Sequence, residues 1–170
     1  VLVMGAAGGL GSAAVQVAKL NGANVIAAAG ADVRVEAAIS VGADFGVNYR
    51  TQDLAEEVSR ITDGQGVKLV CENIGDPDLF NGAFNSLGRE GKLVTAGAHA
   101  GGQVSLDLWK LYLFQLQIIG EPREQIGGLD KALKLAGEHE IKTLIDRVMP
   151  LSEAAEAHAL VESRSGLGKV

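Results

Sequence analysis

The chain has 170 residues, 47% of them hydrophobic, which suits one domain with a substantial core. Aromatics make up only 4%, so Ala, Val, Leu and Gly carry the packing, which favours close helix-on-sheet layers over a β-sandwich. The net charge is −6 with no Lys/Arg cluster, so the electrostatic footprint of a nucleic-acid or anionic-membrane binder is missing. A single cysteine, Cys71, excludes an internal disulfide, and His99, His139 and His158 are too scattered to show metal-ligand spacing. No apolar run is long enough to span a bilayer, and no signal peptide is visible. The chain begins inside an apolar run without Met, as a fragment would; a cytoplasmic protein is expected.

Residues 1–4 predict a first strand. Ala6-Ala7-Gly8-Gly9-Leu10-Gly11 follows and opens a helix over 9–20, with Leu10, Ala13, Ala14, Val17 and Ala18 on one face. Asn21-Gly22 stops that helix, and 25–29 is the second strand. Asp32 is placed to cap the next helix, in which Val35, Ala38 and Ile39 share a face and Gly42 supplies a left-handed stop. A third strand over 44–48 leads to Thr51, a candidate cap for a helix bearing Leu54, Val58 and Ile61 and stopped by Asp63-Gly64. Residues 67–71 form the fourth strand. Asp76-Pro77 is a cap followed by Pro at the first helical position; Phe80, Ala83, Phe84 and Leu87 face the core, and Gly88 closes the helix. The fifth strand is 93–96, a short extra strand is 104–106, a helix covers 108–114 and the sixth strand is 117–119. Leu129, Ala132, Leu133 and Ala136 mark a helix ended by Gly137. Residues 145–150 read as extended, Ser152 caps a helix to about 163, and 168–170 begin another strand.

Alternating strands and helices imply parallel pairing with right-handed crossovers, and strands buried on both faces read as continuous apolar runs. The expected fold is α/β, a doubly wound six-stranded parallel sheet in the order 3-2-1-4-5-6 with helices on both faces. Residues 1–140 are the expected dinucleotide-binding domain and 141–170 a distinct C-terminal segment.

A strand, a glycine-rich turn and a helix in that order make a pyrophosphate site, because phosphate can approach a backbone without Cβ atoms and meet the unpaired N–H groups of the helix. In the fingerprint G-x-G-x-x-G, Ala6 stands in the first place and Gly8 and Gly11 in the others. The spacing Gly5, Gly9, Gly11 also suits short-chain dehydrogenases, but Tyr49 and Tyr112 have Asp53 and Leu116 where that class needs Lys. The alternative is a Gly/Ala-rich turn with no ligand. Ala29 and Gly30 stand where an Asp or Glu would bind the ribose of NAD, and Arg34 follows, able to pair with a 2′-phosphate. This favours NADP(H). Arg34 can instead be a solvated residue paired with Glu36 or Asp32, and Asp32 is close enough to a ribose to keep NAD(H) open.

Beyond the carboxyl ends of strands four, five and six lie Asn73-Ile74-Gly75, Ala96-Gly97-Ala98-His99 and Ile119-Gly120-Glu121-Pro122, whose backbone groups can hold ribose and carboxamide. His99 reads as a loop histidine first and a general acid second. Glu72 reads as an ordinary exposed carboxylate and Cys71 as a buried strand residue. His139, between Glu138 and Glu140, reads as a solvated helix end. No complete catalytic set is present.

Together these stretches resemble the medium-chain dehydrogenase/reductase superfamily, which includes zinc alcohol dehydrogenases and zinc-free quinone oxidoreductases. The resemblance also rests on Gln16-Val17-Ala18-Lys19, Val41-Gly42-Ala43-Asp44, Asn48-Tyr49-Arg50, Glu72-Asn73-Ile74-Gly75, the run from Gly91 to Gly97, and the segments Ile145-Asp146-Arg147 and Pro150 to His158. The Ala-x-Gly-Gly-x-Gly and Asn-Tyr-Arg forms are most similar to the quinone-oxidoreductase branch, which generally uses NADPH. That likeness implies Gly8, Gly9, Leu10 and Gly11 at the pyrophosphate, and Gly30, Arg34 and Tyr49 around the adenosine phosphate. It implies Asn73, Gly97, Ala98, Ile119 and Gly120 along the nicotinamide side. It also implies a preceding GroES-like catalytic domain that holds the substrate pocket and any zinc, and a homodimer formed through a sheet edge near 104–106. The expected parent transfers hydride to or from a carbonyl, quinone or alcohol. The alternatives are an NAD(H)-using zinc alcohol dehydrogenase and a non-catalytic dinucleotide sensor.

Overall fold

The structure is a computed structural model that describes residues 1–121, 127–139, 141–163 and 166–170. Its elements are β1 (Leu2–Met4), α1 (Gly9–Leu20), β2 (Ile26–Ala29), α2 (Asp32–Ser40), β3 (Phe45–Asn48), α3 (Leu54–Ile61) and β4 (Val67–Glu72). There follow α4 (Pro77–Asn85), β5 (Leu87–Thr95), α5 (Leu108–Leu113), β6 (Gln117–Gly120), α6 (Gly128–Glu138), a 3-10 turn (Leu151–Glu153) and α7 (Ala154–Glu162). The strands pair in parallel in the order β3-β2-β1-β4-β5-β6, as the alternating pattern predicts.

Each face of the sheet has its own core. Leu2, Met4, Ile26, Val47, Val70 and Leu93 pack with Leu54 and Val58 of α3 and Phe80, Ala83 and Phe84 of α4. Val3, Val25 and Ala27 face the other way and pack with Val15 of α1 and Ala38 of α2. Successive strand residues thus feed opposite layers, which is why the central strands β1 and β2 are apolar at every position. The winding reverses between β1 and β4, so a crevice opens there at the carboxyl edge of the sheet.

Several local expectations change. In α1 the buried residues are Gly11, Ser12, Val15 and Gln16, whereas Leu10 is 55% and Val17 39% exposed. The smallest residues let the helix lie closest to the sheet, and an Ala-rich pattern does not single out one face. Asp32 does not cap α2; Ala31 holds that place, and the Asp32 carboxylate accepts a 2.7 Å bond from Asn48 Nδ2. Asp53, not Thr51, caps α3, accepting from Glu56 N at 2.9 Å. Gly88 does not close α4, because β5 begins at Leu87. A side chain at Gly88 would strike the carbonyl of Gln65, so the glycine marks a close crossing of backbones. Residues 104–106 form no strand. Gly137 lies inside α6, and Ser152 lies in the 3-10 turn without capping α7. The stretches expected to be extended at 145–150 and 168–170 meet only in one parallel bridge, Ile145 with Lys169. The Asp76 cap and the Asn21-Gly22 stop are as expected, with Gly22 at φ +76°. Pro122 and Glu140 lie outside the described residues, within which no helix is long and apolar enough to cross a membrane.

Candidate functional site

The crevice is built from the turn after β1. Gly5 takes a left-handed φ of +60°, and its carbonyl accepts from Gly8 N at 2.9 Å. Gly8 precedes α1 in an extended conformation and offers no side chain to the first helical N–H groups. Those groups and the positive end of the helix dipole are left for an anion. Gly11 is needed behind them: a methyl group there would sit 2.8 Å from Ala6 Cα and against the Gly5 carbonyl.

One side of the resulting cleft gathers Gly30, Arg34 and Tyr49. The Tyr49 ring lies over Gly30 so closely that a methyl group there would be 3.0 Å from its Cε2 and 3.1 Å from its hydroxyl. Arg34, in the opening turn of α2, donates from Nη2 to the Gly166 carbonyl at 3.4 Å. The other side carries Asn73, Ile74 and His99. Gly97 lies just behind, since a methyl group on it would meet the Asn73 carbonyl at 2.8 Å and His99 Nε2 at 3.4 Å. The whole cleft measures about 500 Å³.

The C-terminal segment roofs it. Gln16, buried in α1, grips the backbone of Lys142 with both ends of its amide, donating to the carbonyl at 2.8 Å and accepting from the N–H at 2.7 Å. Leu144 and Asp146 then pair with Lys169, through Lys169 N to Leu144 O at 2.9 Å and Asp146 N to Lys169 O at 2.8 Å. This sets the Lys169 ammonium over the start of α1: a methyl group on Gly9 would be 2.6 Å from its Cε and 3.0 Å from its Nζ. Asp146 supplies the one side-chain carboxylate among the described residues lining the cleft. Its hydrogen bond to the Arg147 side chain, with one from Leu167 N, holds its carboxyl below the ordinary range.

The zinc-binding dehydrogenase profile matches residues 9–141. The chain belongs to the zinc-binding dehydrogenase family. It is 34% identical to an NAD-dependent alcohol dehydrogenase of Saccharolobus solfataricus over 99% of its own length and 48% of that protein. It is also 34% identical to quinone oxidoreductase-like protein 2 of Bos taurus, over 100% of the chain and 51% of the relative. The structure of Escherichia coli quinone oxidoreductase complexed with NADPH superimposes with a TM-score of 0.78 and 29% identity, over 98% of this chain and 54% of that one. The chain therefore spans about half the length of the relatives it matches.

Of the residues singled out in the sequence, this member of the zinc-binding dehydrogenase family brings Gly8, Gly9, Gly30, Arg34, Tyr49 and Asn73 to one cleft. Others are not on its walls. Leu10 points away from the fold, and Gly11 is the spacer behind the turn. Gly97 backs Asn73, and Ala98 packs against Gly75 behind the wall. Ile119 and Gly120 lie on β6, separated from β4 by β5.

Sequence reasoning missed Lys169 and Asp146, which join the cleft only through the folded C-terminal segment. No local spacing connects them to the glycines. It also misread Glu72, which is 2% exposed. The signal available was its neighbour: Asn73-Ile74-Gly75 is a turn, and a carboxylate before a turn can accept its N–H groups. Among the described residues no group of three or more His, Cys, Asp or Glu could hold a metal. Cys71 is a poor donor besides, because burial pushes its thiol up. The described residues of this family member therefore do not fit a zinc centre.

Proposed function

We propose that this chain is the cofactor domain of an NADP(H)-dependent oxidoreductase of the quinone- or enone-reductase type. One observation carries the reading. The uncapped start of α1 and the cations of Arg34 and Lys169 all border one cleft, with Ala29 where a ribose-binding carboxylate would stand. Gly8 and Gly9 hold the pyrophosphate against the helix N-terminus, with Lys169 closing over it. Arg34 pairs with the 2′-phosphate, and Tyr49 walls the adenosine over Gly30. Asp32 is occupied by Asn48, which draws its charge toward β3. Asn73 flanks the nicotinamide, with the 97–98 backbone packed behind its loop. The bound cofactor supplies the hydride, and the work of these residues is to bind it and fix its orientation.

Residues 141–170 serve in this reading as the return toward a GroES-like catalytic domain, which holds the carbonyl, quinone or alcohol substrate and any zinc. A homodimer forms through the sheet edge, where β6 is exposed throughout and the neighbouring Trp109 of α5 is 70% exposed. The parent works in the cytoplasm.

A second reading, an NAD(H)-using alcohol dehydrogenase, is favoured by one feature. The Asp146 carboxylate faces the same cleft and can accept from ribose hydroxyls. Calorimetric titration of the chain with NADPH and with NADH separates the two. Tighter binding of NADPH is the expected result, and tighter binding of NADH would favour the second reading. A companion variant, Ala29→Asp, is expected to move the preference toward NADH, since a carboxylate there accepts ribose hydroxyls and repels a phosphate. An unchanged preference would mean that the end of β2 does not face the ribose.

A further inference from the structure

We propose that Glu72 is a positioning residue that shapes the nicotinamide half of the cleft. It is the last residue of β4, and its carboxylate lies inside the protein. A buried carboxylate is tolerated only when its oxygens are well supplied with donors. Oε1 accepts from Ile74 N at 2.7 Å and Gly75 N at 2.9 Å, and Oε2 from Thr95 Oγ1 at 3.2 Å. Its own peptide carbonyl accepts from Ala96 N at 3.0 Å. One residue therefore folds the chain back after β4 and ties that turn to the end of β5.

The consequences reach the cleft. The turn places Gly75 at φ +69°, where a methyl group would lie 2.6 Å from Ala98 Cα. The two loops are then linked by Ala100 N to Ile74 O at 2.9 Å and Gly102 N to Gly75 O at 3.0 Å. Asn73 and His99, one from each loop, face the cavity. The adenosine side, with Gly30, Arg34 and Tyr49, makes none of these contacts. Loss of the carboxylate should loosen one half of the site and spare the other.

The side-chain chemistry sets the order of variants. Glutamine keeps an oxygen for the two N–H groups. Its Nε2 can donate to Thr95 Oγ1, whose proton then goes to the Gly97 carbonyl, already 3.3 Å away. Leucine fills similar space and leaves Ile74 N and Gly75 N without an acceptor. Thr95→Val removes the outer tether alone.

This inference rests on the proposed reading of the cleft as a nicotinamide-dinucleotide site. It is tested by titrating the wild-type chain, Glu72→Leu, Glu72→Gln and Thr95→Val with NADPH and with 2′,5′-ADP, which keeps the 2′-phosphate and the adenosine-side 5′-phosphate but has no nicotinamide. Glu72→Leu is expected to weaken NADPH by about tenfold or more while 2′,5′-ADP changes by less than about twofold. Glu72→Gln should recover most of the NADPH affinity, and Thr95→Val should fall between. A role in general stability alone would weaken both ligands together or neither, and an unchanged ratio of the two affinities in Glu72→Leu overturns the proposal. If Glu72→Leu does not fold, Thr95→Val decides by the same ratio. A wild-type chain that prefers NADH overturns the cofactor choice but not this role, which is then read with NADH against ADP. A wild-type chain that binds none of these ligands overturns both.

Discussion

Replacing Gly11 with alanine is expected to abolish measurable dinucleotide binding and to destabilise the chain. The added methyl group would lie 2.8 Å from both Ala6 Cα and Gly5 C, and closer still to the Gly5 oxygen. All three are backbone atoms, so nothing can swing aside. The start of α1 must move away from β1, or the Gly5 turn must open. Either movement breaks the bond from Gly8 N to Gly5 O and re-aims the N–H groups at the start of α1. Overpacking of this kind costs about 1–3 kcal/mol. In a chain of this size each kcal/mol shifts the melting temperature by roughly 2–4 °C. Thermal unfolding of the variant reads the first effect and calorimetry with NADPH the second. A variant with wild-type melting and wild-type affinity would show that the turn and helix are not so closely apposed. Gly9 is a useful contrast, since a methyl group there meets only the end of the flexible Lys169 side chain.

Arg34→Ala is expected to weaken NADPH far more than NADH. A guanidinium paired with a phosphate forms charge-assisted hydrogen bonds worth about 1.5–3 kcal/mol, roughly tenfold to a hundredfold in Kd. NADH has a hydroxyl in that place and loses little. Higher salt should narrow the wild-type preference, because part of it is an attraction between opposite charges at a partly exposed site. Equal weakening of both cofactors would remove the phosphate role. It would leave Arg34 as the residue that reaches Gly166 and steadies the C-terminal segment. The Asp32–Asn48 contact matters for the same measurement, since it holds the nearest carboxylate of α2 to β3.

Where the sequence was misread, the cause was physical. Helix α1 is so rich in small residues that hydrophobicity does not mark its inner face; close approach does, and Gly11 and Ser12 are inside while Leu10 is out. Asp32, Thr51 and Asp53 are all suitable cap residues. Only the local path of the chain decided that Asp53 accepts from Glu56 N while Asp32 turns to Asn48. Gly88 resembles a helix stop because both a stop and a backbone crossing require a missing Cβ.

The sequence by itself determined the class of fold, the strand order and the glycine turn between β1 and α1. Those follow from short-range rules: apolar runs form strands, parallel strands need right-handed crossovers, and a glycine turn before a helix leaves N–H groups open. It also grouped Gly30, Arg34 and Tyr49, which the structure brings to one side of the cleft, because each lies within a few residues of a strand end at the sheet's carboxyl edge. Tertiary structure alone decided the rest. Lys169 reaches Gly9 only because Gln16 holds Lys142 and Leu144 pairs with Lys169. Glu72 becomes a buried hub only because β5 brings Thr95 beside β4. Contacts between residues far apart in the chain depend on how closely its layers pack, and that closeness leaves no periodic mark in the sequence.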